Sequence, residues 1–361
     1  MKLKLIVVLL FSQLALAQTN GLTNKKLIEY FSLVNEAELK ITENNLSEAN
    51  VLYKKAFKTF KEPHAKDMYN SMKTAFGIKD WKHASQQYRS LKCMEFPFED
   101  VSFPAEFDSY RNKSKSCKNK IDYDYRKKLD SLVVIDQKYR NMSGGNYTKY
   151  KKEITTSDSI ASIKLLKLIQ EKGFPNEYEL GLKSADNHFF HNFYLIIWHQ
   201  LASNTISPQR VNFTNEILKA VNEGKINPEN AGILIDLNNN STRYKSELFT
   251  VHELITLTAN KDNPFEALKN KQYESDCCYL HPSFRKENRD QRAVATVKEL
   301  DSNREKIGLS SIDDELKKII FSLNNKDYVL VNSTIAGHQF ADPEQGKMMF
   351  KNFIKIKKEK N

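Results

Sequence analysis

Glycine and proline are scarce in this chain, with 11 Gly and 9 Pro among 361 residues. Folds that turn every few residues need both, so sandwiches and propellers are disfavoured and long helices are favoured. Beyond the N-terminus no apolar run approaches the roughly 18 residues that span a bilayer. No Gly-x-Ser-x-Gly nucleophile turn, phosphate-cradling loop or dinucleotide fingerprint occurs, so the usual signatures of serine hydrolases, nucleotide triphosphatases and dehydrogenases are missing. The four cysteines are too few for a disulfide scaffold. What is present suffices for a core: 40% of residues are apolar and 11% aromatic. The 56 basic residues exceed the 45 acidic ones, but the two signs are interspersed, which describes a solvated surface; no nucleic-acid partner is expected.

The first residues carry an address. Lys2 and Lys4 precede an apolar run from Leu5 to Phe11, and Ala15-Leu16-Ala17 supplies the small-x-small pattern of a cleavage site. Residues 1–17 therefore read as a signal peptide, and the product as an exported protein, periplasmic or secreted, with no membrane span after cleavage. An oxidising compartment permits disulfides. Cys277 and Cys278 are neighbours, and closing so small a ring is strained, so Cys93 with Cys117 is the first pairing expected. Four reduced thiols packed as small hydrophobes are the alternative.

From Leu22 to Phe98 apolar residues recur every three or four positions, as in Leu27, Phe31 and Val34, and again in Ala49, Tyr53, Ala56 and Phe60. Ala49 and Tyr53 return 35 residues later as Ala84 and Tyr88. This stretch, about 22–100, resembles tetratricopeptide repeats, with Ala37, Ala49, Tyr53 and Ala56 at the packing positions. The resemblance implies helix pairs over 18–103, a surface for a peptide or protein partner, and Tyr53 and Tyr88 as contacts. Residues 104–128 are expected to supply a capping and connecting helix.

The second half shows a helix from Asp124 to Asn141 containing Asp136-Gln137-Lys138-Tyr139-Arg140, then Asp158 as the cap of a following helix. A strongly apolar stretch from Ala185 to Ala202, ending on Trp198 and His199, reads as a central buried helix. Asn227-Pro228 starts a helix that runs to Asp236, and Arg304 precedes Gly308-Leu309. In this order the pieces, spanning about 129–323, resemble an exported bacterial domain of unknown function marked by an Asp-Gln-x-Tyr-Arg helix. That resemblance implies a second helical domain and a surface at Arg140, Trp198 and Arg304, without implying a reaction. The chain departs from the pattern after Asp236, where Leu237 and Asn238 follow.

Candidate chemistry is sparse. His252-Glu253-Leu254-Ile255-Thr256 lacks the second His of a zinc-protease helix. His188 and His199 lie too far apart along a helix to share an ion, and no metal or other cofactor is expected. Asp136, His199, Asp236 and His252 form the one acid–base set that the sequence suggests. Lys347, Lys351 and Lys355 lie on one face of a prospective cationic helix within a basic C-terminal segment, 324–361, suited to an anionic envelope surface. The expected fold is mainly α, with minor β near the C-terminus at Tyr328–Val331. The expected function is an exported, non-enzymatic binding or scaffolding protein. A hydrolase-like enzyme built on the Asp/His set and a purely structural envelope protein are the alternatives.

Overall fold

A computed structural model describes residues 21–111, 117, 121–186, 189–202, 204, 206–246, 249–332 and 335–356. The signal-peptide reading falls outside these residues, as does His188. The fold is mainly α, with a small sheet assembled late in the chain.

Four helices open the chain as two hairpins: α1 (Lys25–Thr42) with α2 (Leu46–Thr59), and α3 (Ala65–Gly77) with α4 (Trp81–Cys93). The hairpins are built alike. Asn44 and Lys79, 35 residues apart, both take the left-handed conformation (φ 57° and 59°) that reverses the chain. The next residue in each case, Asn45 or Asp80, caps the second helix by accepting from the backbone N–H three positions on. Small residues, Ala37 against Ala49 and Ala56, let α1 and α2 approach.

The described part of 104–128 is not the single capping helix expected of it. Two short turns, Ala105–Phe107 and α5 (Asp108–Arg111), stand in its place, and α6 begins only at Tyr123. They cap nonetheless. Phe107 is wholly buried, with Phe76 edge-on at 4.8 Å and Tyr88 at 5.8 Å, a burial worth about 1.5–3 kcal/mol. Cys93 and Cys117 are joined, with Cα atoms 5.4 Å apart, and Cys277 is joined to Cys278.

The second half starts with a long hairpin, α6 (Tyr123–Ser143) and α7 (Lys151–Lys172), whose first helix closes on Gly144 in the left-handed region. After the one-turn α8 (Glu177–Leu180), the apolar stretch departs from expectation. It is not one helix: Phe189 has φ 58°, Ala185 bridges to His191, and only α9 (Tyr194–Trp198) is α-helical. A continuous helix has no use for a left-handed residue, and the chain folds back on itself so that Phe189, Phe193 and Tyr194 are all buried. Next come α10 (Thr214–Asn222) and α11 (Pro228–Asn239), the latter capped by Asn227 with Pro228 at its first position.

The sheet takes strands from both sides of residue 323. Its order is β3-β1-β2-β4, with β1 (Val251–Leu257) antiparallel to β2 (Tyr273–Leu280) and parallel to β3 (Ala336–Phe340), and β4 (Ile354–Lys355) on β2. The one-turn α12 (Pro264–Lys269) joins β1 to β2, and α13 (Gln291–Lys306) and α14 (Ile312–Asn324) pack beside the sheet. The basic C-terminal segment is therefore part of the sheet. The cationic helix does not form there, because α15 spans only Pro343–Met349 and Lys355 lies in β4. Tyr328–Val331, expected as a strand, runs as irregular chain across α3: Asn70 donates to the Val329 carbonyl at 2.7 Å and accepts from its N–H at 2.8 Å.

The halves are locked by buried charge. Lys66 on α3 bridges Glu38 on α1 (3.0 Å) and Glu229 on α11 (2.6 Å), and Lys318 on α14 takes the other oxygen of Glu38 at 2.5 Å. Gly308 (φ 88°) brings its backbone so close to Phe31 that a Cβ there would sit 2.6 Å from the ring. The first helices of the two hairpins, α1 and α3, thus face the protein's own second half.

Candidate functional site

One cluster of acid, base and cation forms where α6, α7 and the end of α9 meet. Asp136 and Arg140 lie four residues apart on α6 and so project from one face. Asp158 enters from α7, and His199 follows the last residue of α9, its N–H held by the Leu195 carbonyl at 2.9 Å. One ligating atom from each of Asp136, Asp158 and His199 lies within 4.8 Å of the others.

The hydrogen bonds assign the roles. His199 Nδ1 lies 2.9 and 3.0 Å from the two oxygens of Asp136, and Gln137 Nε2 donates to the same carboxylate at 2.7 Å. Arg140 holds Asp158 through both terminal nitrogens, at 2.6 and 2.9 Å, and also donates to the Asp136 carbonyl. Burial raises the proton affinity of Asp136, but His199, Arg140 and Gln137 outweigh it and hold the carboxyl below its ordinary range. Burial, with the charge of Asp136 alongside, pushes Asp158 up despite Arg140. Neighbouring carboxyls driven in opposite directions mark the division of labour found in acid–base sites.

An ionised Asp136 can only accept, so Nδ1 of His199 carries the proton and Nε2 is left as the basic nitrogen. Nε2 has no hydrogen-bond partner among the described residues, and the side chain keeps 17% of its exposure while Asp136 keeps none. Three donor atoms this close are also what a metal ion requires. The cation beside Asp158, however, is already the Arg140 guanidinium, which a divalent ion would have to displace.

The other sequence-suggested residues lie elsewhere. Asp236 closes the loop after α11, accepting from Ser241 Oγ and from the N–H groups of Arg243, Tyr244 and Lys245. His252 is on β1, its Nδ1 2.9 Å from Nε2 of His338 on β3, so it does not join the cluster. The acid–base set is corrected to Asp136 and His199, with Asp158 added. Among the expected contact residues, Tyr53 and Tyr88 are 0% and 7% exposed, their rings committed to Phe57 and Phe98. Arg304 is buried with its donors on the carbonyls of Ser310 and Tyr244 and on Glu315. None of these three presents its side chain to a partner. Trp198 is half-buried against the edge of Phe190, and Arg140 belongs to the cluster itself.

Asp158 escaped the sequence reading because it resembles a helix cap. In fact α7 starts at Lys151 and Asp158 sits within it, among the buried Thr155, Ser157, Ser159 and Ser162. That run of small polar residues, buried where the lysines and glutamates of the same helix are exposed, was the available signal for a tightly packed polar face. Comparison with protein families, with curated proteins and with solved structures finds no match for this chain.

Proposed function

We propose that this protein is a hydrolase-like enzyme in which His199, oriented by Asp136, is the general base. The supporting observation is the Asp136–His199 contact itself: a buried, ionised carboxylate on Nδ1, with Nε2 left open. A fixed tautomer presents a lone pair that accepts a proton from water or a substrate hydroxyl, and the resulting imidazolium is stabilised by Asp136. Gln137 fixes the carboxylate; Arg140 and Asp158 brace the helix pair and place a guanidinium beside the developing charge. No serine or cysteine lies at hydrogen-bond distance from His199 among the described residues, so water is the nucleophile in this reading. The signal-peptide-like pattern of residues 1–17 supports export as the setting of this activity.

The test is a panel of chromogenic esters, phosphoesters, glycosides and anilides turned over by the mature protein, by His199→Ala and by Asp136→Asn. Loss of one activity in both variants, with unchanged circular dichroism, supports the reading. Turnover by His199→Ala equal to that of the wild type on every substrate overturns it.

A binding role is the second reading, and it moves to a different surface from the one the repeats suggested. The faces of α1 and α3 are occupied by the chain itself, whereas the outer face of α2 and α4 carries a cleft of about 410 Å³ lined by Lys58 and Lys82, with Lys54 paired to Asp80 on the same wall. Those lysines favour an acidic peptide. Pull-down from envelope extract with Lys58→Glu/Lys82→Glu as control tests it.

A further inference from the structure

A second pocket, of about 40 Å³, lies between α11, the segment leading into β1, and the α13–α14 pair. No residue lines both this pocket and the Asp136–His199 cluster. A cavity admits one water at roughly 10–15 Å³, so this one has room for about three waters or one small solute.

Two polar groups on its wall are without a protein partner among the described residues, and one of them is fully buried. The ammonium of Lys245 makes no hydrogen bond or ion pair among the described residues. The side-chain carbonyl oxygen of Asn332 is buried and has no partner among the described residues, although its amide donates to Asn230 at 2.6 Å. The acids facing Lys245 are already matched: Glu315 by Arg304 at 3.1 Å, and Glu229 by Lys66 at 2.6 Å. Burial accordingly pushes the Lys245 ammonium below its ordinary value; Glu315 opposes this and Arg304 adds to it. The rest of the wall is largely apolar, with Phe249 and Ile319 among its residues.

A cation short of counter-charge and an acceptor short of a donor, facing one small space, are the complement of a ligand that carries an anion and a donor. The apolar wall selects a carbon skeleton over a bare inorganic oxyanion, which would leave that wall uncovered. We propose that this cavity binds a small carboxylate bearing a hydroxyl or amine, its carboxylate on Lys245 and its donor on the Asn332 carbonyl. Lactate, propionate and inorganic phosphate separate the elements of that recognition.

Calorimetric titration and thermal unfolding of the mature protein with each probe form the test. Lactate is expected to bind saturably and to raise the Tm, at least about tenfold more tightly than propionate, which lacks the donor. Phosphate is expected to shift nothing. Lys245→Met weakens lactate at least about tenfold while leaving the unliganded Tm unchanged or higher, since an unmatched cation has been removed. Asn332→Ala erases the preference for lactate over propionate. On the wild-type protein, independent of any variant, lactate slows acetylation of Lys245 read by peptide mass spectrometry. The proposal is overturned if lactate gives no saturable response, if Lys245→Met responds like the wild type, or if phosphate binds more tightly than lactate.

Discussion

Two of the buried charge clusters in this molecule differ in one respect that separates structure from chemistry. At the junction of the halves, Glu38, Lys66 and Lys318 are each 5% exposed or less, and Glu38 and the 14%-exposed Glu229 are both held by lysine. At the meeting of α6, α7 and α9, Asp136 is equally buried, but His199 and Arg140 keep 17% and 14% of their exposure. In the first cluster each acid is matched by a lysine, and the pairs fix the relative placement of the helices. The second has an open edge, and the group at that edge is the one whose proton can move. Burial makes both clusters matter energetically; access to His199 is what suits only one of them to the reaction proposed for it.

Substitutions sharpen the contrast. The largest effect expected is on activity, where His199→Ala lowers turnover per folded molecule by about 10²- to 10⁴-fold, on top of the stability lost when the buried Asp136 is left without its imidazole partner. Turnover per folded molecule equal to that of the wild type would break the distinction. Lys318→Met does the reverse. Leaving Glu38 buried without one of its partners costs about 3–5 kcal/mol by urea unfolding, while turnover per folded molecule stays constant. Glu38→Met/Lys318→Met is expected to recover part of that loss, because replacing both charges removes the unpaired one. Asp236→Ala, which strips four hydrogen bonds from the loop after α11, costs about 1–3 kcal/mol and leaves His199 chemistry intact. If that variant is inactive but stable, Asp236 belongs to the site after all.

The smallest effect tests an exposed counterpart of these clusters. Asp80 caps α4 and meets Asn50 and Lys54, and although burial opposes, these contacts lower its carboxyl to about 2. Asp80→Ala costs about 1 kcal/mol. A carboxyl depressed on folding stabilises above its unfolded pKa, so the difference between variant and wild type is full at neutral pH. It closes as pH falls from about 4 toward 2. A difference that persists at pH 2 would assign the effect to the helix propensity of the substitution instead.

Much of the helical framework was legible in the chain. Asn227 caps the helix its position suggested, and Asn45, Asp80 and Ser311 cap theirs in the same way, because a cap is a contact between residues three positions apart. The 35-residue echo of Ala49-Tyr53 in Ala84-Tyr88 corresponds to two hairpins built alike, again a local matter. The apolar stretch around Phe193 misled for the opposite reason. Burial on every side satisfies a folded-back loop as well as a helix, and composition does not distinguish them. The strands β1 and β3 were missed because their partners lie far along the chain.

The same division holds for the site. Asp136, Gln137 and Arg140 were visible as one helix face, and His199 as a polar residue ending an apolar run. By itself the sequence determined which groups with acid–base chemistry were present and which shared a turn of helix. Only the tertiary structure decided that His199 meets Asp136 and not His252, that Asp158 joins them from mid-helix, and that Tyr53, Tyr88 and Arg304 are spent on packing. The reason is physical: helix caps and faces are set within four residues, whereas a proton's path depends on which distant side chains share a desolvated space and which one keeps an edge open to water.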